Sequence, residues 1–318
     1  ASSAQESWST YSRCARKRAS QVRTCQSAQG KAVLEALIAS PANMTLKFGT
    51  DGVRGVAGTD LTPELLVAFG RAVARVMGTE APFLLGRDTR QSGTALEAAL
   101  TAGLCAQGAS VESAGIIPTP GLAMLCAMRE APGAMISASH NPFSDNGIKI
   151  FSAQGTKLDD DTEAAIEHEC RSVLQSGGAT SAEGINIGVA SRIAGSIDRY
   201  ITNRMSTISG RDFGELKVVV DCANGSQSGP GPRTLRELNA EVIVISAAPN
   251  GVNINDNCGS TYPANLQEAV KEHRADVGFA FDGDGDRVIA VDDRGDIVDG
   301  DQLMLLLALD FKAQNKLS

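Results

Sequence analysis

The chain has 318 residues, with 29 Lys or Arg against 37 Asp or Glu and a formal charge of −8. That length exceeds what one hydrophobic core usually supports, so two or more domains are expected, and the acidic balance speaks against a nucleic-acid binder, whose footprint is basic. The densest apolar run, Leu303 to Leu309, is far shorter than the roughly 20 residues that span a bilayer, so no membrane partner is expected.

Seven cysteines (Cys14, Cys25, Cys105, Cys126, Cys170, Cys222, Cys258) are scattered and lack CxxC spacing. This argues against a zinc site or a secreted disulfide framework and for a reducing cytoplasm. Three histidines are too few for a His-rich metal centre, and aromatic residues at 4% are too sparse for a platform that stacks single strands. The 33 glycines sit between apolar runs, which points to tight turns rather than disorder.

In chain order, residues 1–43 stand apart. They hold six basic residues and two acidic ones in Ser- and Ala-rich surroundings. No apolar stretch with a small-residue cleavage site marks a secretory signal. The Arg- and Ser-rich composition resembles an organelle transit peptide, but the plainer reading is an extension outside the fold, with Met44 as the true start. From Lys47 the pattern becomes strand, loop, helix. Thr62 is placed to cap a helix with Pro63 in its first turn, and Leu65, Leu66, Phe69, Val73 and Val76 form one face at helical spacing. Phe83–Leu85 reads as a buried strand running into the loop 86–90, followed by a helix from about Thr94 to Ala106. Further on come Val111, the Pro-containing stretch Ile116–Pro120 and another helical segment. Ala134–Ile136 is a strand that empties into Ser137-Ala138-Ser139-His140-Asn141-Pro142, and an acidic helix covers Asp159–Leu174.

A second unit repeats the logic. Ile197–Ile208 reads as a connecting helix, Lys217–Asp221 as a strand and Arg233–Asn239 as a helix. Glu241–Ile245 is a strand, Leu266–His273 a helix, and Val277–Phe281 a strand opening into Asp282-Gly283-Asp284-Gly285-Asp286. Such βα alternation predicts an α/β protein with parallel or mixed sheets covered by helices. The expected organisation is a first domain over 44–190, a related second domain over 191–298, and the start of a third over 299–318. The helix expected over Asp301–Phe311 is strongly apolar and needs a partner surface that seven further residues do not supply, so the sequence reads as cut off.

Ligands of such sheets sit at the carboxyl ends of strands, where the polar loops lie. Asp282, Asp284 and Asp286 at alternate positions can converge on one hard cation if the glycines fold the backbone tightly between them. An acidic surface turn is the bland alternative, disfavoured by the apolar runs on both sides. A calcium loop of EF-hand type fails, because Arg287 stands where that pattern needs Gly and strands flank the loop instead of helices. Arg287 would suit a phosphate that arrives with a metal. Ser139 beside His140 is open to two readings, a nucleophile or a turn before Pro142, and the Gly-x-Ser-x-Gly elbow of hydrolases is absent. Arg54 in the glycine-flanked loop 48–55 fits a phosphate oxygen or a simple turn brace. Lys149 in Asp-Asn-Gly-Ile-Lys is equally ambiguous, a surface lysine being the commoner case.

Taken together, KFGTDGVRG (47–55), GRDTRQSG (86–93), PTP (118–120), ISASHNPFSDNGIKIF (136–151), DCANG (221–225), NINDNCGST (253–261) and FDGDGDRVIAVDDRGDIVDGD (281–301) resemble the α-D-phosphohexomutase superfamily over nearly all of residues 46–318. The wording SASHNP, and DGDGDR followed by IAVD, resembles its branch acting on glucosamine phosphates. The resemblance implies that Ser139 is phosphorylated and that Asp282, Asp284 and Asp286 bind Mg²⁺ together with a phosphoserine oxygen. It implies that Arg54 and Lys149 act around the reacting phosphate as acid/base or charge-stabilising groups, with His140 and Arg287 lining the same site. The implied partner is a small sugar phosphate, and the implied reaction interconverts glucosamine 6-phosphate and glucosamine 1-phosphate, a precursor of cell-wall amino sugars. Sister activities on mannose or glucose phosphates, and a non-catalytic fragment that binds Mg²⁺ or phosphate only, are the alternatives. The superfamily's sugar-recognition loop and its last phosphate loop have no counterpart in these 318 residues.

Overall fold

The computed structural model describes residues 47–49, 52–176, 181–208 and 210–317, so the readings made for 1–43 and for Met44 lie outside the described residues. The first unit holds β1 (Val53–Val56), α1 (Pro63–Met77), β2 (Phe83–Arg87), α2 (Gly93–Cys105), β3 (Val111–Ile116), α3 (Thr119–Arg129), β4 (Gly133–Ile136), β5 (Asp145–Phe151), α4 (Asp160–Gln175) and β6 (Ala190–Arg192). Its six strands run in the order β1-β5-β4-β2-β3-β6. The pairs β4–β2, β2–β3 and β3–β6 are parallel, while β5 runs antiparallel to both β4 and β1.

α5 (Ser196–Ser206) leads into the second unit, built from β7 (Lys217–Asp221), α6 (Pro230–Glu237), β8 (Glu241–Ile245), α7 (Ala264–His273), β9 (Val277–Phe281), β10 (Val288–Asp292) and β11 (Ile297–Val298). Its sheet order is β11-β10-β9-β7-β8. The pairs β7–β8 and β7–β9 are parallel, and β10 is antiparallel to β9. Strands β2, β3, β4 and β5 of the first sheet therefore correspond one for one to β7, β8, β9 and β10 of the second. The serine-bearing connection β4–β5 and the aspartate-bearing connection β9–β10 occupy the same topological position in two related units.

The sequence explains these elements locally. Thr62 Oγ1 accepts the Leu65 N–H at 3.2 Å, and Pro63 opens α1, where a missing donor costs nothing. Leu65, Leu66, Phe69 and Val73 of that helix are buried. In the second sheet the period of two divides the side chains. Val219, Ala280 and Val291 pack with Leu266 and Val270 of α7 on one face, while Val218 and Val220 pack with Leu235 of α6 on the other. The helix expected from Arg233 to Asn239 instead runs Pro230–Glu237. Its Gly/Pro-rich beginning is a helix start, because first-turn prolines lack only N–H groups that have no partner within the helix. Arg54, expected in a loop, lies in β1, and Lys149 lies in β5.

α8 (Gly300–Ala313) is closed at its start by a capping box, with Asp299 and Gln302 each accepting the other's backbone N–H. None of its residues is buried, and Met304, Leu305, Leu306 and Leu307 are more than half exposed. Among the described residues, no helix is long and apolar enough to cross a membrane.

Candidate active site

The two corresponding loops face each other. Ser139, three residues past the end of β4, is fully buried, and its Oγ donates to Asp282 Oδ2 at 2.5 Å. Asp282 is the first residue after β9. This approach depends on Gly283: a Cβ there would stand 2.7 Å from both Ser139 O and Ile254 Cδ1. Gly285 has φ +68°, so the turn also needs the left-handed conformation that glycine adopts without steric cost. Ser139 itself has φ +54°, unfavourable for a residue with a side chain and stable only where the surroundings determine it.

Those surroundings are polar and buried. Arg90 Nη2 donates to Ser139 O at 3.2 Å and to Asn141 O at 2.6 Å. Asn255 Nδ2 reaches the same two carbonyls from the second unit, at 2.9 and 3.1 Å. The Ser139 N–H donates to Ser137 Oγ at 2.9 Å, and that hydroxyl donates to Asp88 Oδ2 at 2.6 Å. Asp88 and Arg90 form an ion pair with both side chains fully buried. Burial raises the Asp88 carboxyl above its ordinary value, with Arg90 and Ser137 pulling the other way. In the sequence the loop 86–90 is visible as a turn at the end of β2, but nothing local singles out any of its residues. A GRDTR run (86–90) reads as a solvated turn unless its charges pair internally and face a carbonyl far along the chain.

Lys149, on β5, is largely covered and pairs with the acidic loop, so it is not a solvated surface lysine. Its Nζ lies 2.9 Å from Asp286 Oδ2 and 3.3 Å from Asp284 Oδ2. Burial disfavours its ammonium, but Asp284 and Asp286 outweigh that and hold its pKa above the usual lysine value. Beside it opens a cleft of about 180 Å³, with Thr119, Lys157, Glu163 and Phe151 in its wall. Ser139 Oγ is 3.4 Å from His140 Nδ1. Arg54 stands one strand further along the sheet, opposite Gly147 of β5. Arg287 enters the loop through its backbone, its N–H donating to Asp282 Oδ1 at 3.2 Å, while the residue is exposed.

The three carboxylates fit a divalent cation. Each offers one oxygen within 4.8 Å of the others, and Asp284 Oδ1 is buried without a hydrogen bond, a costly state for an ionised oxygen unless a ligand meets it. Burial, then Asp284 and Asp286, push the Asp282 carboxyl up to about 7. Burial acts on Asp284 in the same direction, but Lys149 and Thr119 hold it below the ordinary value. Without metal, a folded-state value above the unfolded one means that stability falls as pH rises from about 4 through about 7. A cation must also displace the Asp282 proton below about pH 7. Mg²⁺ at about 100 times its dissociation constant should therefore stabilise the chain by about 2.7 kcal/mol at about pH 8, and by less at about pH 6. Thermal melts with Mg²⁺ and with a chelator at both pH values check this; a gain independent of pH would contradict the linkage.

Two matching α/β units joined by a serine loop and an aspartate loop define a two-lobed α/β class with the site between its lobes. Sequence comparison is more specific. Phosphoglucomutase/phosphomannomutase alpha/beta/alpha domain I matches residues 45–176, and alpha/beta/alpha domain II of that family matches residues 197–295. The chain belongs to the phosphoglucomutase/phosphomannomutase family. It is 49% identical over 278 residues to a phosphoglucosamine mutase of Thermoanaerobacter pseudethanolicus, covering 86% of this chain and 61% of that protein. It is 49% identical over 275 residues to a phosphoglucosamine mutase of Pseudomonas paraeruginosa, covering 85% and 61%. A solved phosphoglucomutase/phosphomannomutase family protein of Burkholderia thailandensis matches with a TM-score of 0.71 at 26% identity, over 87% of this chain and 60% of that one. The chain thus spans about 61% of the length of the relatives it matches.

Proposed function

We propose that the chain carries the phosphoryl-transfer part of a phosphoglucosamine mutase, which interconverts glucosamine 6-phosphate and glucosamine 1-phosphate. The observation that carries the reading is the contact between the Ser139 hydroxyl and an aspartate of the acidic loop, across two matching units, at 2.5 Å. The near-half identity to proteins named for that activity supports the sugar assignment. The free thiols Cys126, Cys170, Cys222 and Cys258 accord with a cytoplasmic enzyme.

In this reading Ser139 carries the phosphoryl group. A free hydroxyl of the sugar monophosphate attacks phosphorus; the bond from phosphorus to Ser139 Oγ breaks and one to the sugar oxygen forms, giving a bisphosphate. The hydroxyl's proton passes to a base at the site, and Ser139 Oγ takes a proton back. The bisphosphate then reorients and returns its other phosphoryl group by the reverse steps. Asp282, Asp284, Asp286 and a phosphoserine oxygen would hold Mg²⁺, which supplies charge neutralisation for the transferring group. Lys149, kept cationic by its two aspartates, lies where it would balance the equatorial oxygens of that group. His140, next to Ser139 Oγ, is placed to exchange its proton. Arg54 adds charge stabilisation from the neighbouring strand, and Arg287 meets the incoming phosphate at the exposed side of the loop.

The test is an assay of the protein with all its domains on glucosamine, glucose and mannose 6-phosphates, beside Ser139→Ala. The expected result is fastest turnover of the amino sugar and none by the variant. Preference for mannose or glucose phosphate would move the assignment to a sister mutase, and an active Ser139→Ala would reject the phosphoserine.

A further inference from the structure

Thr119 has no part in the mechanism above, yet it holds the acidic loop at two points. Its backbone N–H donates to the Asp284 carbonyl at 2.8 Å, and its Oγ1 donates to Asp284 Oδ2 at 2.6 Å, across 165 positions of sequence. Both residues are buried, Thr119 at 7% exposure and Asp284 at 0%. Thr119 is the first residue of α3 and sits between Pro118, with φ −61°, and Pro120. Two prolines with fixed φ, and a β-branched side chain with few rotamers, make this a stiff point of attachment.

A carboxylate turns readily about its last torsion, since that torsion is broad and roughly two-fold. Here the two oxygens of Asp284 are treated differently. Oδ2 takes the Thr119 hydroxyl and the Lys149 ammonium, and Oδ1 is buried with no hydrogen bond. We infer that Thr119 is a positioning residue for the metal: by occupying Asp284 Oδ2 from the first unit, it presents Asp284 Oδ1 to the divalent cation bound by the second. Lys149 alone does not fix this orientation. Its Nζ is shared with Asp286 and stands 3.3 Å from Asp284 Oδ2, against 2.6 Å for the Thr119 hydroxyl. Hydrogen bonds behind a metal ligand typically govern affinity by 10- to 100-fold.

The inference rests on the divalent-cation reading of the acidic loop, and one experiment separates the two. Mn²⁺ is titrated into the chain and its free signal followed by electron paramagnetic resonance, for wild type, Thr119→Val, Thr119→Ser and Asp284→Asn. Thr119→Val keeps the shape and loses the hydroxyl, and should weaken Mn²⁺ by about 10- to 100-fold. Thr119→Ser keeps the hydroxyl and should bind nearly as wild type, which a purely structural role of the side chain would not produce. Melting curves confirm that the variants fold; if Thr119→Val does not, Thr119→Ala supplies the same comparison. Equal affinities for wild type and the hydroxyl-free variant would overturn the role of Thr119 while leaving the metal reading intact. No Mn²⁺ uptake by wild type, or undiminished uptake by Asp284→Asn, would overturn the metal reading and the role of Thr119 with it.

Discussion

Asp284→Asn is expected to slow phosphoryl transfer by about a thousandfold in the protein with all its domains. The substitution keeps the size of the side chain and an oxygen for the Thr119 hydroxyl, so the loop keeps its hydrogen bond to the first unit. It removes the charge of the one carboxylate, among the described residues, whose buried oxygen has no hydrogen-bond partner. A bound divalent cation contributes several kcal/mol of stabilisation to a transferring phosphoryl group, and a loss of about 4 kcal/mol corresponds to that factor in rate. Metal-free stability should not fall in proportion, because one of three crowded negative charges is gone and the neighbouring Asp282 ionises more readily. Single-turnover rates at saturating Mg²⁺, beside melts in chelator, check both halves. A rate within tenfold of wild type would exclude Asp284 as a metal ligand in the transfer.

Arg90→Met should damage the fold itself, by about 3–5 kcal/mol. Arg90 is among the largest fully buried side chains of the molecule, and breaking a buried ion pair by removing one partner leaves the other charge uncompensated. In this variant Asp88 loses the cation that opposes the effect of its burial, and the carbonyls of Ser139 and Asn141 keep only Asn255. The serine then has less to hold it at positive φ, so activity at a temperature where the variant is folded should fall as well. Urea unfolding measures the first effect. Arg90→Lys separates it from the second, since an ammonium restores the charge but not the forked contact to two carbonyls. A loss below about 1 kcal/mol for Arg90→Met would mean that the pair contributes little beyond an ordinary substitution.

What local pattern shows and what it hides follow from the range of the interactions. Strands such as Lys217–Asp221 and Val277–Phe281 are legible because a buried strand is a short apolar run, and the capped helix at Thr62 because its signal lies within four residues. The acidic loop is legible as convergent carboxylates because its glycines and aspartates alternate within one turn. Its nearness to Ser139 is a contact over 143 positions, and no periodicity encodes it; only the wording of the two loops together suggests it. Arg90 and Thr119 escaped assignment for the same reason, as their partners lie 49 to 51 and 165 positions away. Lys149 is ambiguous in sequence because an exposed lysine and a largely covered, doubly paired one have the same neighbours. The prolines at 230 and 232 hid a helix start because a breaker in mid-helix is an ordinary residue in the first turn.

In the proposed reaction, the oxygen now donating to Asp282 is the atom that bears phosphate during turnover. Intact-mass analysis with peptide mapping of the freshly isolated protein, before and after incubation with glucosamine 6-phosphate carrying heavy oxygen in its phosphate, is the decisive measurement. The expected result is one added phosphoryl group on the peptide containing Ser139, still present during turnover but exchanged for the labelled phosphate brought by the sugar. Phosphate confined to another residue, or a Ser139 that stays unmodified through catalysis, would contradict it.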